Sequence, residues 1–222
     1  MVDFLMRDDA PLSEQEWAKL DEVVVGTARK LLVGRRVIEL TGPLGLGAQV
    51  VPLFTMGASD GVTQVAGRDF LRLEQIQQDF ILSTLDIQAA KRQGMPIELG
   101  PAAAASAACA RQEDELVFKA LFNTKGRQSV KLGDWSEPDA ILANVVEATQ
   151  KLVDAAKFGP FAVVLSPGLY AKTQRVARGM GRLVSKLIKD VAEGGVFRSP
   201  FLQENQGVVI SQGKHNLDLV IG

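Results

Sequence analysis

Apolar residues recur at three- and four-residue spacing in two stretches of this chain, which is the pattern of a helix with one buried face. The first stretch follows Ser13 and Glu16, whose spacing is that of a capping box at a helix start. Its apolar positions are Trp17, Leu20, Val24, Ala28 and Leu31. Gly34 is typical of a left-handed helix stop, so the pattern predicts a helix from Ser13 to about Gly34.

The second amphipathic stretch is 137–157, which Pro138 opens and Gly159-Pro160 ends. Its apolar positions are Ile141, Leu142, Val145, Leu152 and Val153. Between the two stretches, the alanine-rich segment 101–123 has high helix propensity and predicts a central helix. Segments 167–176 and 182–192 predict two shorter helices, separated by the glycine break Gly179-Met180-Gly181.

Short β-prone runs lie between these helices. They are 37–40, 79–87, the continuous apolar run 161–165, and 208–211 with 217–221 as a terminal hairpin. Helices that alternate with a mixed set of strands indicate an α+β fold.

Segment 44–72 has a different pattern, with scattered glycines and weak apolar alternation. It predicts two extended arms around Ala58-Ser59-Asp60-Gly61, since Asp-Gly between alternating apolar residues favours a hairpin. Such a long hairpin has little core of its own to pack on, so we expect it to pack on a neighbouring molecule, with a partly disordered loop as the alternative.

Composition excludes several classes of protein. The chain has 222 residues, 46% hydrophobic and 23% charged, which suits one large domain or two small lobes. A net charge of −1 gives no general attraction to nucleic acid or anionic membranes. No apolar run approaches the roughly 20 residues of a membrane helix. The acidic N-terminus does not have the pattern of a signal peptide, and the one cysteine suits a reducing compartment, so we expect a cytoplasmic protein.

No combination of residues predicts a catalytic, metal or cofactor site. His215, the one histidine, falls in a polar turn, and Cys109 lies in the alanine-rich helix as a small hydrophobe. The glycines of 42–47 lack the lysine and serine of a phosphate loop. The basic residues of 172–189 lack the aromatic partners that single-stranded nucleic acid requires, so we interpret them as a charged rim at a subunit junction. We therefore expect a protein that is not an enzyme.

Short motifs in a fixed order extend over nearly the whole chain. They are Phe4-Leu5 with Arg7, Ala10-Pro11-Leu12-Ser13 with Trp17, Gly34-Arg35-Arg36-Val37, EDELVF at 113–118, GPFAVVLS at 159–166 with Tyr170, and GVVISQGKHNLDLVIG at 207–222. In this order they resemble the family 1 encapsulins, shell proteins of bacterial nanocompartments in the linocin/bacteriocin-type family. The resemblance implies the major-capsid-like fold of tailed phages.

The resemblance implies four segments: an N-terminal arm and helix at 1–43, an extended loop at 44–78, a peripheral domain with a spine helix at 79–132, and an axial domain at 133–222. It also implies an icosahedral shell of many identical subunits around a cargo enzyme, either an iron-storing ferritin-like protein or a peroxidase. A C-terminal peptide of the cargo would bind the inner wall, with no nucleic acid, membrane or cofactor involved. The implied cargo-binding residues are Val24, Ala28, Leu31, Arg35, Ile38 and Glu39. The implied pore-lining residues are Gly179, Met180, Gly181, Arg182, Phe197, Arg198 and Ser199.

The family continues with further strands past the equivalent of Gly222, which this chain lacks. We expect an unpaired sheet edge where those strands would lie. A phage or prophage major capsid protein is the nearest alternative function, because the fold is shared. A bacteriocin and a hydrolase are further alternatives, although a hydrolase needs a base beside its nucleophile.

Overall fold

The computed structural model describes residues 6–59 and 62–222. The chain divides into two compact units, one formed by Met1–Leu32 with Ile76–Val117 and the other by Val33–Gln75 with Phe118–Gly222. The four-segment division expected from the family stays a prediction. The motif residues Phe4 and Leu5 lie outside the described residues.

In the first unit, a 3-10 helix at Arg7–Asp9 precedes α1, Glu14–Leu31. The predicted capping box is confirmed: the Ser13 N–H donates to Glu16 Oε2 at 2.7 Å, and the Glu16 N–H donates to Ser13 Oγ at 3.4 Å. The predicted stop at Gly34 is wrong. The helix ends at Leu31, with Leu32 as an extended cap residue, and Gly34 instead begins the short helix α2, Gly34–Val37, in the second unit.

Helix α4, Gly100–Asn123, confirms the predicted alanine-rich helix. Its small residues permit a close approach to α1, where Ser106 Oγ donates to the Val24 carbonyl at 2.7 Å. The predicted strand at 79–87 is wrong, because 79–83 is irregular and α3, Thr84–Gln93, begins within the segment. Ser83 caps this helix by accepting from the Asp86 N–H, and Gly94 ends it at φ 64°.

The second unit is built on a three-stranded sheet. Strand β4, Phe161–Leu165, lies in its centre, parallel to β5, Gly195–Arg198, and antiparallel to β6, Gly207–Ser211. Helices α5 (Pro138–Asp154), α6 (Pro167–Thr173) and α7 (Val184–Val191) contribute the rest of the core. The buried apolar residues of this core are Trp135, Ile141, Val145, Val163, Leu165, Leu169, Ala177, Val184, Ile188 and Ala192.

The predicted terminal hairpin is wrong. Strand β6 pairs with β4, whereas β7, Asp218–Val220, pairs in parallel with β1, Glu39–Thr41. Strand β1 begins two residues later than predicted, because Val37 belongs to α2. Segments 207–211 and 218–220 therefore pair with separate strands that are distant in the sequence.

The predicted long hairpin is confirmed. Strand β2, Val50–Ser59, pairs antiparallel with β3, Val62–Arg72, with a register irregularity at Thr55/Met56. The predicted turn residues Asp60 and Gly61 lie outside the described residues. Among the residues that the structure describes, no helix is long and apolar enough to cross a membrane.

Candidate functional site

The β2–β3 hairpin exposes large apolar side chains. Phe70 is 68% exposed, Met56 64% and Phe54 53%. Phe54 lies opposite Arg68, whose guanidinium is 5.8 Å from the centre of the phenyl ring. Exposed apolar clusters of this kind mark interaction surfaces in water-soluble proteins, so the hairpin is a candidate contact with another molecule.

The N-terminal arm is tied to the first unit by ionic and aromatic contacts. Arg7 donates two hydrogen bonds to the Asp21 carboxylate, at 3.0 and 2.9 Å, and its guanidinium lies 4.9 Å from the centre of the Trp17 ring. Lys91 Nζ donates to the Pro11 carbonyl at 2.9 Å and pairs with Glu16 at 3.1 Å. Helix α3 therefore holds the arm against the start of α1.

The predicted cargo-binding residues fall into two groups. Val24, Ala28 and Leu31 are half-buried and share one face of α1, since they are four and three residues apart. Arg35, Ile38 and Glu39 belong to the second unit. Arg35 is half-buried and Glu39 is exposed, but Ile38 is only 7% exposed. The Ile38 side chain is buried and therefore offers little surface to a peptide.

A groove in the first unit was not predicted from the sequence. It has a volume of about 420 Å³ and lies between α1 and the irregular segment 95–99. Glu16, Lys19 and Val23 line it from the helix, and Met95 and Ile97 line it from the segment. The backbone N–H of Ser13 is the main cause that lowers the pKa of the Glu16 carboxyl, so this carboxylate stays charged in the groove. No local pattern in 95–99 indicates the groove.

The first predicted pore loop connects α6 and α7. Gly179 and Gly181 have φ values of 71° and 61°, which favour glycine, and the Ala177 N–H donates to the Arg182 carbonyl at 2.8 Å across the turn. Met180 at the tip is 59% exposed. Arg182 pairs with Asp190 at 2.9 Å, so its charge is already partly balanced within the subunit.

The second predicted pore segment lies at the end of β5. Phe197 is half-buried, and the exposed Arg198 lies 6.0 Å from the centre of the Tyr170 ring. Ser199 is fully buried, and its N–H donates to the Leu165 carbonyl at 2.9 Å. A side chain without exposed surface cannot line a channel, so the structure removes Ser199 from the candidate lining.

The two residues considered for chemistry lie on separate elements, His215 in a turn and Cys109 in α4. His215 is exposed, and Cys109 is partly buried in α4. Within residues 6–59 and 62–222, no three histidine, cysteine or acidic side chains come together to hold a metal ion.

Comparison with known proteins identifies the family. The family model described as "Encapsulating protein for peroxidase" matches residues 2–222. The type 1 encapsulin shell protein EncA of Myxococcus xanthus is 41% identical over an alignment that covers 100% of this chain and 84% of the relative. The chain belongs to the encapsulin shell-protein family. It is a structural shell subunit of a protein nanocompartment.

Two relatives are fusion proteins. The diheme-cytochrome-encapsulin shell fusion protein of Kuenenia stuttgartiensis is 34% identical, over 95% of this chain and 63% of the relative. The ferritin-like-encapsulin shell fusion protein of Pyrococcus furiosus is 27% identical, over 50% of this chain and 32% of the relative.

A solved structure establishes the fold independently of sequence. The subunit of a virus-like particle from Pyrococcus furiosus superimposes with a TM-score of 0.80, although it is only 20% identical. The superposition covers 95% of this chain and 84% of that chain. The expected capsid-like α+β fold is thereby confirmed.

Proposed function

We propose that copies of this encapsulin close into an icosahedral shell in the bacterial cytoplasm, and that the subunit itself has no catalytic activity. The observation that carries this proposal is the β2–β3 hairpin, which leaves the large apolar side chains of Phe54, Met56 and Phe70 more than half exposed to water. Packing on a neighbouring subunit would remove these side chains from water. Full burial of an exposed aromatic side chain contributes roughly 1.5–3 kcal/mol, so burial of the exposed part of Phe54 or Phe70 would contribute about 1–2 kcal/mol to assembly.

The enclosed cargo is proposed to be a ferritin-like protein or a peroxidase. Two relatives carry a ferritin-like or a diheme-cytochrome component in the same chain as the shell, and the family description names a peroxidase. A cargo protein that is not part of the shell chain would need a non-covalent site on the shell.

That site is proposed on the face of α1 formed by Val24, Ala28 and Leu31. An apolar helix face suits a short C-terminal peptide of the cargo with a few aliphatic side chains. Arg35 and Glu39 belong to the other unit, and their contact with the peptide stays a prediction. The exposed loop of Gly179, Met180, Gly181 and Arg182 is proposed to line a pore, with Phe197 and Arg198.

The cargo proposal is tested with a fluorescent protein that carries the C-terminal segment of the ferritin-like or peroxidase protein encoded beside this chain's gene. Ala28→Glu would place a charge on the proposed face and should lower the fluorescence that co-purifies with shells by about tenfold or more. The matched control is Val25→Glu, because Val25 lies on the same helix and is 45% exposed. Equal loading of both variants would contradict the site. A variant that forms fewer shells would also lower the co-purified fluorescence. Particles are therefore counted in parallel by electron microscopy.

A further inference from the structure

A second cavity lies in the unit formed by Val33–Gln75 and Phe118–Gly222, and its lining residues belong to none of the sites considered above. Its volume is about 540 Å³, within the roughly 300–1,000 Å³ that is typical of binding pockets. It runs along β6 on one side and along segment 124–130 on the other. Val145, Ala148 and Leu152 of α5 provide an apolar floor. We call this cavity the β6 slot.

The β6 side of the slot is an open sheet edge, since β4 is the one strand that pairs with β6 among the described residues. The Gln212 N–H donates to the Pro160 carbonyl at 2.9 Å, and the Ser166 N–H donates to the Gln206 carbonyl at 3.0 Å. Because peptide groups alternate along an antiparallel strand, those of residues 207, 209 and 211 then point away from β4. They have no backbone partner within the part of the chain that the structure describes.

The opposite side is a run of backbone held in place by side chains of α5. Lys151 Nζ donates to the Ser129 carbonyl at 2.8 Å, Asn144 Nδ2 donates to the Lys131 carbonyl at 3.3 Å, and the Gly133 N–H donates to Asn144 Oδ1 at 2.7 Å. Over residues 6–59 and 62–222, no backbone-to-backbone hydrogen bond involves 128–132. Two rows of backbone groups without backbone partners thus border one apolar floor.

The charges around the slot have one sign. Lys125, Arg127 and Lys157 line it, and none of its lining residues is acidic. An occupant with acidic groups at its end would be attracted, whereas one with basic groups would be repelled.

We propose that the β6 slot accepts an extended acidic peptide as an added β-strand. Backbone groups of the peptide pair with the open edge of β6, and its alternate apolar side chains pack on the floor of α5. Its acidic residues lie beside Lys125, Arg127 and Lys157. Strand addition of this kind obtains affinity from the backbone and specificity from alternate side chains. The proposal does not rest on the proposed cargo, which would bind to α1.

The probe is a fluorescein-labelled synthetic peptide of alternating valine and threonine that ends in two glutamates. Binding is followed by fluorescence anisotropy on the purified protein. We expect saturable binding that weakens by about tenfold or more when the peptide backbone is N-methylated, because its donors to the edge are lost. Replacement of the two glutamates by lysines should weaken binding as well.

Ala148→Trp fills the floor of the slot and should weaken binding by about tenfold or more. Val146→Trp is the matched control, since Val146 is 44% exposed on α5 and is not among the slot residues. Circular dichroism checks that both variants fold. If Ala148→Trp fails to fold, Arg127→Glu at an exposed position tests the charge alone and should also weaken binding.

Three outcomes would overturn the proposal. They are no binding to the unsubstituted protein, equal binding of the N-methylated peptide, and self-association through this face without peptide binding, which would assign the slot to a second copy. Particle formation is scored separately by electron microscopy, so a failure of the shell assignment is distinguishable from a failure of the slot.

Discussion

Asn144 holds the segment before α5 in place, and Asn144→Ala should destabilise the subunit strongly. Asn144 Oδ1 accepts from the Gly133 N–H at 2.7 Å and from Trp135 Nε1 at 2.8 Å. Asn144 Nδ2 donates to the Lys131 carbonyl at 3.3 Å. Trp135 is only 4% exposed and belongs to the main apolar core of its unit. Truncation would leave the indole N–H buried without a partner.

The magnitude follows from how exposed each group is. A buried donor left unpaired costs about 1–3 kcal/mol, whereas the exposed bonds to Gly133 and Lys131 contribute about 0.5 kcal/mol each. The expected loss is therefore about 2–4 kcal/mol. For a chain of this length it corresponds to a fall in melting temperature of about 5–12 °C.

The assay is urea unfolding of dissociated subunits, followed by tryptophan fluorescence, because assembly would raise the apparent stability. Asn144→Asp is the matched control. It keeps both accepted hydrogen bonds and loses only the donated one, so we expect less than half the effect of alanine. A loss below about 0.5 kcal/mol for alanine, or equal losses for both variants, would refute this reasoning.

Three further predictions concern assembly, pH and cargo. Phe70→Asp should abolish particle formation but leave the melting temperature of the subunit unchanged. The control is Ile81→Asp, at an exposed apolar residue outside the hairpin, which should still assemble. Light scattering measures particle formation for both variants. The pKa of Glu16 lies below its ordinary value of 4.5, chiefly through the Ser13 backbone N–H, so its stabilisation is complete above about pH 4.5 and is lost as the pH falls through the lowered value. Glu16→Gln should lose this part of the pH dependence of urea unfolding, and an unchanged profile would contradict it. Ala28→Glu should empty the shells of reporter without changing their number, as measured by fluorescence per particle.

Local signals predicted the elements that local interactions determine. The capping box at Ser13 and the alanine-rich run of α4 are confirmed because each depends on residues within a few positions. The same logic was available for α3 and was missed. Ser83 and Asp86 have the spacing of a helix cap, and Gly94 is a left-handed stop, but the apolar content of 79–87 favoured a strand.

Pairing between distant segments could not be predicted in this way. Strand β7 pairs with β1 across most of the chain, and β5 is a short strand that begins at the second of two glycines, so neither has a local signal for its partner. Burial has the same limit. The spacing places Val24, Ala28 and Leu31 on one face of α1, but only packing shows that Ile38 and Ser199 are enclosed. The β6 slot exists only where β6, α5 and segment 124–130 meet.

Cryo-electron microscopy of the purified protein tests the central claim most directly. The account predicts closed, hollow particles of uniform size, in which the β2–β3 hairpin of each subunit covers a neighbour and buries Phe70. A monomer at micromolar concentration, or particles in which Phe70 is exposed to solvent, would contradict it.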